Sequence, residues 1–258
     1  MSKKASHIRL YVADDLLTQR TIILGREQAH YLVSVMRLAV GATVLLFNGR
    51  DGEWLARLVK ADRKSAQLMV EGQTRPQSLD PALPGLTLLF APVKRAKTDL
   101  IVEKATELGV ARLIPVITER TNTDRVKMER FLSIAAEAAE QCERLSTPVI
   151  DLPTGLDAAL KAWPDDRPLY FCDEARTAPL LLSVLWAKSS QSGDGLGPCG
   201  LLIGPEGGFT AAEREAVCAH RATCSVSLGA RILRAETAAI SALSLIASAY
   251  ELVRTDLQ

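Results

Sequence analysis

The sequence predicts an α/β protein in two parts: a small β-rich barrel in front, and behind it a largely parallel sheet covered by helices on both faces. Three observations predict this. From residue 8 to about residue 71 the segments are short and punctuated by turn residues. Residues 73–85 carry Pro76, Pro81 and Pro84 among polar neighbours, which stiffens a connector and excludes a central strand. Beyond them short apolar runs alternate with helical patterns, as expected of strands buried on both faces and joined by helices. The expected domains are therefore residues 1–75 and 76–258.

In the front part, Thr43–Phe47 is rich in strand formers and runs into the turn signal Asn48-Gly49-Arg50-Asp51-Gly52. Glu53–Lys60 and residues 65–71 then alternate or run apolar, as barrel strands do. One helix is expected over 28–38, with Tyr31, Leu32, Val35, Met36 and Leu38 as its apolar face. In the second part, buried strands are expected at 86–91, Arg112–Ile117, 149–152, Leu169–Cys172, 200–203 and 224–228. Helices are expected between them at 98–108, 126–145, 156–163, 178–187 and 210–220, with a last one over 236–254. Gly109 stands as a helix stop, and Thr210 with Glu213 fits a capping box. Residues 189–197 read as a Gly/Ser loop.

Composition excludes whole classes. At 48% hydrophobic and 24% charged, the 258 residues are ordinary for a globular chain, and the longest apolar runs are too short to span a bilayer. The first seven residues lack the apolar stretch of a secretory signal, so the cytoplasm is the expected location. Five cysteines (142, 172, 199, 218, 224) show no C-x-x-C spacing, and the three histidines are scattered at 7, 30 and 220. Buried thiols and no metal are the expectation. The net charge of +1 conceals an asymmetry: residues 1–72 hold 11 Lys/Arg against 7 Asp/Glu, a balance of +4. That excess permits contact with a polyanion without demanding it.

Ligands of open parallel sheets bind beyond the carboxyl ends of the strands, where loops gather. This singles out Gly204-Pro205-Glu206-Gly207-Gly208-Phe209-Thr210, in which three glycines flank one glutamate ahead of a helix. Such glycines either let a ligand approach the backbone or make a tight turn. The second candidate is Leu228-Gly229-Ala230-Arg231-Ile232-Leu233-Arg234-Ala235-Glu236-Thr237-Ala238. Its two arginines suit phosphate contact or, equally, a solvated approach to a helix. Gly193, Gly195 and Gly197 imitate a dinucleotide fingerprint, but they follow a polar stretch and open no helix. Neither a P-loop nor a G-x-S-x-G elbow is present, so the corresponding hydrolases lose support. His30, beside an apolar face, suits packing or RNA contact better than catalysis.

These two late motifs together closely resemble those of the RsmE family, bacterial 16S ribosomal RNA uridine-N3 methyltransferases of the SPOUT class. Support comes from His30–Leu38 with Val40-Gly41, from 103–110, from Ile117-Thr118-Glu119-Arg120-Thr121, and from 137–144. The resemblance covers nearly the whole chain; 189–197 is its least family-like stretch. It implies a PUA-like RNA-binding β-barrel in front and a SPOUT domain behind, with a C-terminal trefoil knot and a homodimer packed through knot-region helices. Residues 238–249, rich in Ala and Ser, are compatible with an interface and equally with burial.

The resemblance further implies S-adenosylmethionine as methyl donor, the small ribosomal subunit as partner, and no metal. Donor contacts fall on Phe171, Leu202, Ile203, Gly204, Pro205, Gly207 and Gly208, and on Leu228, Gly229, Ile232, Leu233, Thr237 and Ala238. RNA contacts fall on His30, Arg37, Arg95 and Arg144. Arg231 and Arg234 are expected to meet RNA phosphate or uracil carbonyls, and Glu206 or Glu236 to accept the N3 proton or orient a water that does. The rivals are a class member acting on another atom, such as a 2′-hydroxyl, and a non-catalytic RNA-binding assembly protein.

Overall fold

A computed structural model describes residues 8–80, 82–83, 85–121, 126–174, 177–191 and 196–255. The amino-terminal stretch through His7, the prolines at 81 and 84, and the glycines at 193 and 195 lie outside the described residues. The chain divides into two compact units, one built from the chain up to Pro81 plus Ala139–Thr147, the other from Ala82–Ala138 and the chain from Pro148 on.

The first unit is a five-stranded sheet made from β1 (Arg9–Tyr11), β2 (Thr21–Leu24), β3 (Thr43–Phe47), β4 (Glu53–Lys60) and β5 (Ala66–Arg75), in the order β1-β3-β4-β5-β2. β1 runs parallel to β3 and the other pairs are antiparallel. Side-chain burial alternates, as along β2, where Ile22 and Leu24 are buried and Thr21 and Ile23 exposed. One face thus packs a core of Leu10, Leu46, Leu58, Leu68 and their neighbours. Register shifts between β4 and β5 bend the sheet, as bulges do. The β3–β4 turn forms as its sequence predicts. The Asn48 side-chain oxygen accepts from the Arg50 and Asp51 amides at 3.0 and 2.9 Å, and Gly49 and Gly52 both have positive φ.

The helix expected over 28–38 is instead a short α1 (Arg26–His30) followed by one π turn, Tyr31–Val35. The Met36 amide bonds the Tyr31 carbonyl at 2.9 Å, and Arg37 takes a positive φ of 55°. That wider winding rotates the expected apolar face. Leu32 is buried, but Val35 and Met36 are 58% and 41% exposed.

The second unit is a seven-stranded sheet of β6 (Leu86–Phe90), β7 (Arg112–Ile117), β8 (Val149–Ile150), β9 (Thr154–Gly155), β10 (Leu169–Cys172), β11 (Cys199–Ile203) and β12 (Thr223–Val226). The order is β12-β10-β11-β6-β7-β8, β9 also pairs with β7, and every pairing is parallel. β6 and β11 are buried at every position. Leu88, Phe90, Tyr170, Leu201 and Ile203 point to one face, against α2 (Arg95–Glu107), α3 (Met128–Gln141), α5 (Leu181–Gln191) and α7 (Ala235–Thr255). Leu89, Phe171 and Leu202 point to the other, under α4 (Leu156–Ala162) and α6 (Ala211–Ala219). Two-sided cover is what the unbroken apolar runs predict. The face of α7 carrying Ala239, Ala242, Leu243 and Ile246 is spent on this core. No helix among the described residues is long and apolar enough to cross a membrane.

Candidate functional site

Strand order brings β12, β10 and β11 side by side, so their carboxyl ends open onto one cavity of about 340 Å³. Its walls are the chain leaving each strand: Cys172, Asp173 and Glu174 after β10; Ile203 to Glu206 after β11; and Val226 to Gly229 with Arg231 to Ala235 after β12, closed by Ala238 of α7. Parallel strands end in step, so this is where unpaired backbone and loop side chains collect.

The first glycine loop is held by packing. A Cβ on Gly204 would lie 2.5 Å from the Phe209 ring, and that ring meets Phe171 edge-on at 5.4 Å. Gly208 has a φ of 66°, and a Cβ there would press on the Glu174 carboxylate at 2.7 Å. Thr210 then caps α6 through the reciprocal pair expected from sequence, its hydroxyl accepting from the Glu213 amide while the Glu213 carboxylate accepts from the Thr210 amide. In the second loop Gly229 has a φ of 110°, and its amide donates to the Ser227 hydroxyl at 3.2 Å. Asp173, 3% exposed at the side chain, is gripped by the Arg214 guanidinium at 3.0 and 2.6 Å, which anchors the end of β10 to α6.

At the rim one lysine meets two carboxylates. Lys97 of α2 bonds Glu206, and its ammonium lies 3.6 Å from Glu236. That bond, aided by the fields of Lys94 and Arg234, holds the Glu206 carboxyl below the usual carboxylate range. Burial pushes the Cys172 thiol up to about 12, so it stays protonated. Among the described residues no cluster of His, Cys, Asp or Glu is placed to hold a metal.

Of the residues singled out in sequence, Ile203, Gly204, Pro205, Glu206, Leu228, Gly229, Arg231, Ile232, Leu233, Arg234 and Ala238 line this cavity. Phe171 and Leu202 lie behind it in the core under α4 and α6. Gly208 and Thr237 stand off the wall, and Glu236 reaches the rim only through Lys97. Gly207 lines a neighbouring cavity of about 290 Å³, together with Lys94, Arg120 and Glu206. Arg95 lines a third, of about 230 Å³, with Lys127, Arg130 and Phe131. His30 and Arg37 are exposed on the first unit.

Arg144 differs. It is 2% exposed, and burial pulls its guanidinium below the ordinary arginine range against the opposing field of Asp80. It packs inside the first unit and presents no surface to a polyanion. Sequence reasoning missed Asp173, Glu174, Ser227 and Lys97. Lys97 left a signal: Lys94, Arg95 and Lys97 crowd the start of α2 with no acid in its first turn, against the helix dipole.

Comparison with known proteins agrees with this geometry. A family model described as an RNA methyltransferase domain matches residues 81–247, and one described as an RNA methyltransferase PUA domain matches 24–71. The chain is 34% identical over 237 residues to the ribosomal RNA small subunit methyltransferase E of Rickettsia conorii, covering 92% of this chain and 93% of that protein. Among solved structures it resembles a Legionella pneumophila protein in complex with the bound cofactor SAM (28% identity, TM-score 0.83, 95% and 98% of the two chains). It also resembles a ribosomal RNA small subunit methyltransferase E from Neisseria gonorrhoeae bound to S-adenosyl methionine (25% identity, TM-score 0.79, 94% and 97%).

Proposed function

The chain belongs to the RNA methyltransferase family of the ribosomal RNA small subunit methyltransferase E type, and on that premise we propose that it transfers a methyl group from S-adenosylmethionine to N3 of a specific uridine in 16S ribosomal RNA. The observation that carries this reading is the cavity shared by three parallel strand ends and built from the two glycine turns.

The residues present fit the donor. A volume of about 340 Å³ lies in the range of small-molecule sites. Ile203, Leu228 and Leu233 give apolar walls for an adenine ring, and the turns at Gly204 and Gly229 bring main-chain polar groups to its edge. When bound, S-adenosylmethionine supplies a methyl carbon made electrophilic by its sulfonium. The protein's part is alignment, an effect worth up to about 7–11 kcal/mol in well-oriented reactions. The N3 proton lies on the Watson–Crick edge, so the uridine must be unpaired or flipped out. Leaving proton and incoming methyl use the same N3 orbital, so the proton departs first, to Glu206 or Glu236. Arg231 and Arg234 at the cavity, Arg95 beside it, and His30 and Arg37 on the first unit hold phosphate or uracil carbonyls.

Residues 1–75 serve as the PUA-like RNA-binding domain, joined in one compact unit by Ala139–Thr147, and the rest of 76–258 serves as the SPOUT domain, with the C-terminal chain threaded as a trefoil knot. The enzyme works in the cytoplasm as a homodimer. Leu182 and Trp186, four residues apart on α5 and 58% and 68% exposed, support an apolar contact with a second copy.

The test is incubation with methyl-labelled S-adenosylmethionine and small subunits from cells lacking native 3-methyluridine. Label entering 16S RNA is expected. Binding to ribosomal particles with no donor binding and no transfer would contradict the enzyme reading and favour a non-catalytic assembly protein.

A further inference from the structure

Three cations at the start of α2 oppose the helix dipole, and local rules are broken in this way mainly where function requires it. Lys97 resolves its conflict with two carboxylates from different elements: Glu206 after β11 and Glu236 in the first turn of α7. The carboxylates are not equivalent. Glu206 lines the donor cavity and the adjoining one, and its side chain is 38% exposed. The Glu236 side chain is 12% exposed, and its Oε2 is buried without a hydrogen-bond partner. A buried carboxylate oxygen in that state is costly unless a nearby cation offsets it, and Lys97 is the cation in reach. Glu236 is therefore placed to hold Lys97, and Glu206 to meet a substrate.

Resting on the methyl-transfer reading above, we propose that Glu206 is the group that takes the uridine N3 proton, that Lys97 is the positioning residue fixing Glu206 at the cavity, and that Glu236 acts only through Lys97, as its buried anchor. In the reaction the N3–H bond breaks, the proton passes to a Glu206 oxygen and the electron pair stays on N3. That pair then forms the N3–CH3 bond while the pair of the breaking S–CH3 bond moves to sulfur, leaving a neutral thioether. The charged groups acting on Glu206 are Lys94 and Lys97 from α2 and Arg234 from the chain entering α7. Lys97 faces Glu236 from α2. Glu206 is a carboxylate throughout the neutral range, and Lys97 acts on it by position: the bond fixes it at the cavity and keeps its pKa low without making it a stronger base. Removing Lys97 lets its pKa rise, so the acid limb of kcat moves to higher pH.

A double-mutant cycle tests this, with kcat, KM for small subunits and calorimetric donor binding measured on the full-length protein. Glu206→Gln is expected to lower kcat by about 10²–10⁴-fold, the usual weight of an acid–base group. Lys97→Met should lower kcat on the order of 10-fold with donor binding intact and the acid limb shifted upward, and Lys97→Arg should recover most of the loss. Glu236→Gln should give a smaller loss in the same direction and add nothing to Lys97→Met in the double variant. Losses that multiply in the double variant, or a Glu236→Gln defect as deep as that of Glu206→Gln, would overturn the assignment. If Lys97→Met fails to fold, Lys97→Gln, which also removes the cation, takes its place in the cycle. A wild-type protein that transfers no methyl refutes the function itself; a methylating wild type with multiplying losses refutes only this inference.

Discussion

In the first sheet, neighbours along one strand meet opposite fates: Ile22 is 1% exposed and Ile23 65%. In the second, Leu201 and Leu202 are both fully buried, one against α2 and α7, the other under α4 and α6. A sheet covered on one side keeps a free face along its whole length. A sheet covered on both sides leaves only its strand ends open, so the ligand cavity and its polar groups gather at the ends of β10, β11 and β12.

The largest effects should follow this contrast directly. Leu201→Ala and Leu202→Ala are each expected to cost about 2–5 kcal/mol in urea unfolding, since both leave cavities. In β2, Ile22→Ala should cost on the same scale while Ile23→Ala stays within about 0.5 kcal/mol. Equal costs at 22 and 23 would break the one-faced description.

Glycines sharpen the same comparison. A Cβ on Gly200 of β11 would fall 2.5 Å from the Trp163 ring, whereas one on Gly72 of β5 meets nothing within 4 Å. Gly200→Val should destabilise by about 1–3 kcal/mol through overpacking. Gly72→Val should be neutral or mildly stabilising, because only the unfolded chain loses freedom. Next in size is the cap beside the first glycine loop. Thr210→Ala should cost about 1 kcal/mol in thermal unfolding.

The smallest effect concerns the thiols. Exposed Cys218 should be alkylated at pH 8, while Cys172, raised to about 12 by burial, stays a thiol and reacts only after denaturation. Mass mapping of the labelled peptides checks the order. Prompt labelling of Cys172 in the native protein would deny the burial that raises its thiol.

The same physics decided what could be read from the sequence. Arg112–Ile117 and Leu169–Cys172 announce themselves because strands buried on both faces are continuous apolar runs. β1 and β2 escape notice because three or four residues with half their side chains in water leave too little pattern. The helix at 28–38 misleads because apolar spacing cannot distinguish an α turn from the π turn at Tyr31–Val35. At the site, both glycine loops are legible from strand ends followed by glycine. Asp173, Glu174 and Ser227 are not, because they reach the cavity only through the order β12-β10-β11, which is a non-local fact. Lys97 is half-legible, since its conflict with the α2 dipole is local but its carboxylate partners are not.

The central claim is methyl transfer to N3 of one uridine, and the most direct measurement is the position of the new methyl. After reaction with unmethylated small subunits, 16S RNA should be reverse-transcribed and its nucleosides resolved by chromatography and mass. A single strong stop at a uridine together with 3-methyluridine is the predicted result, because a methyl on N3 blocks pairing. Incorporated methyl that leaves reverse transcription unblocked and elutes as a 2′-O-methyl nucleoside would contradict it.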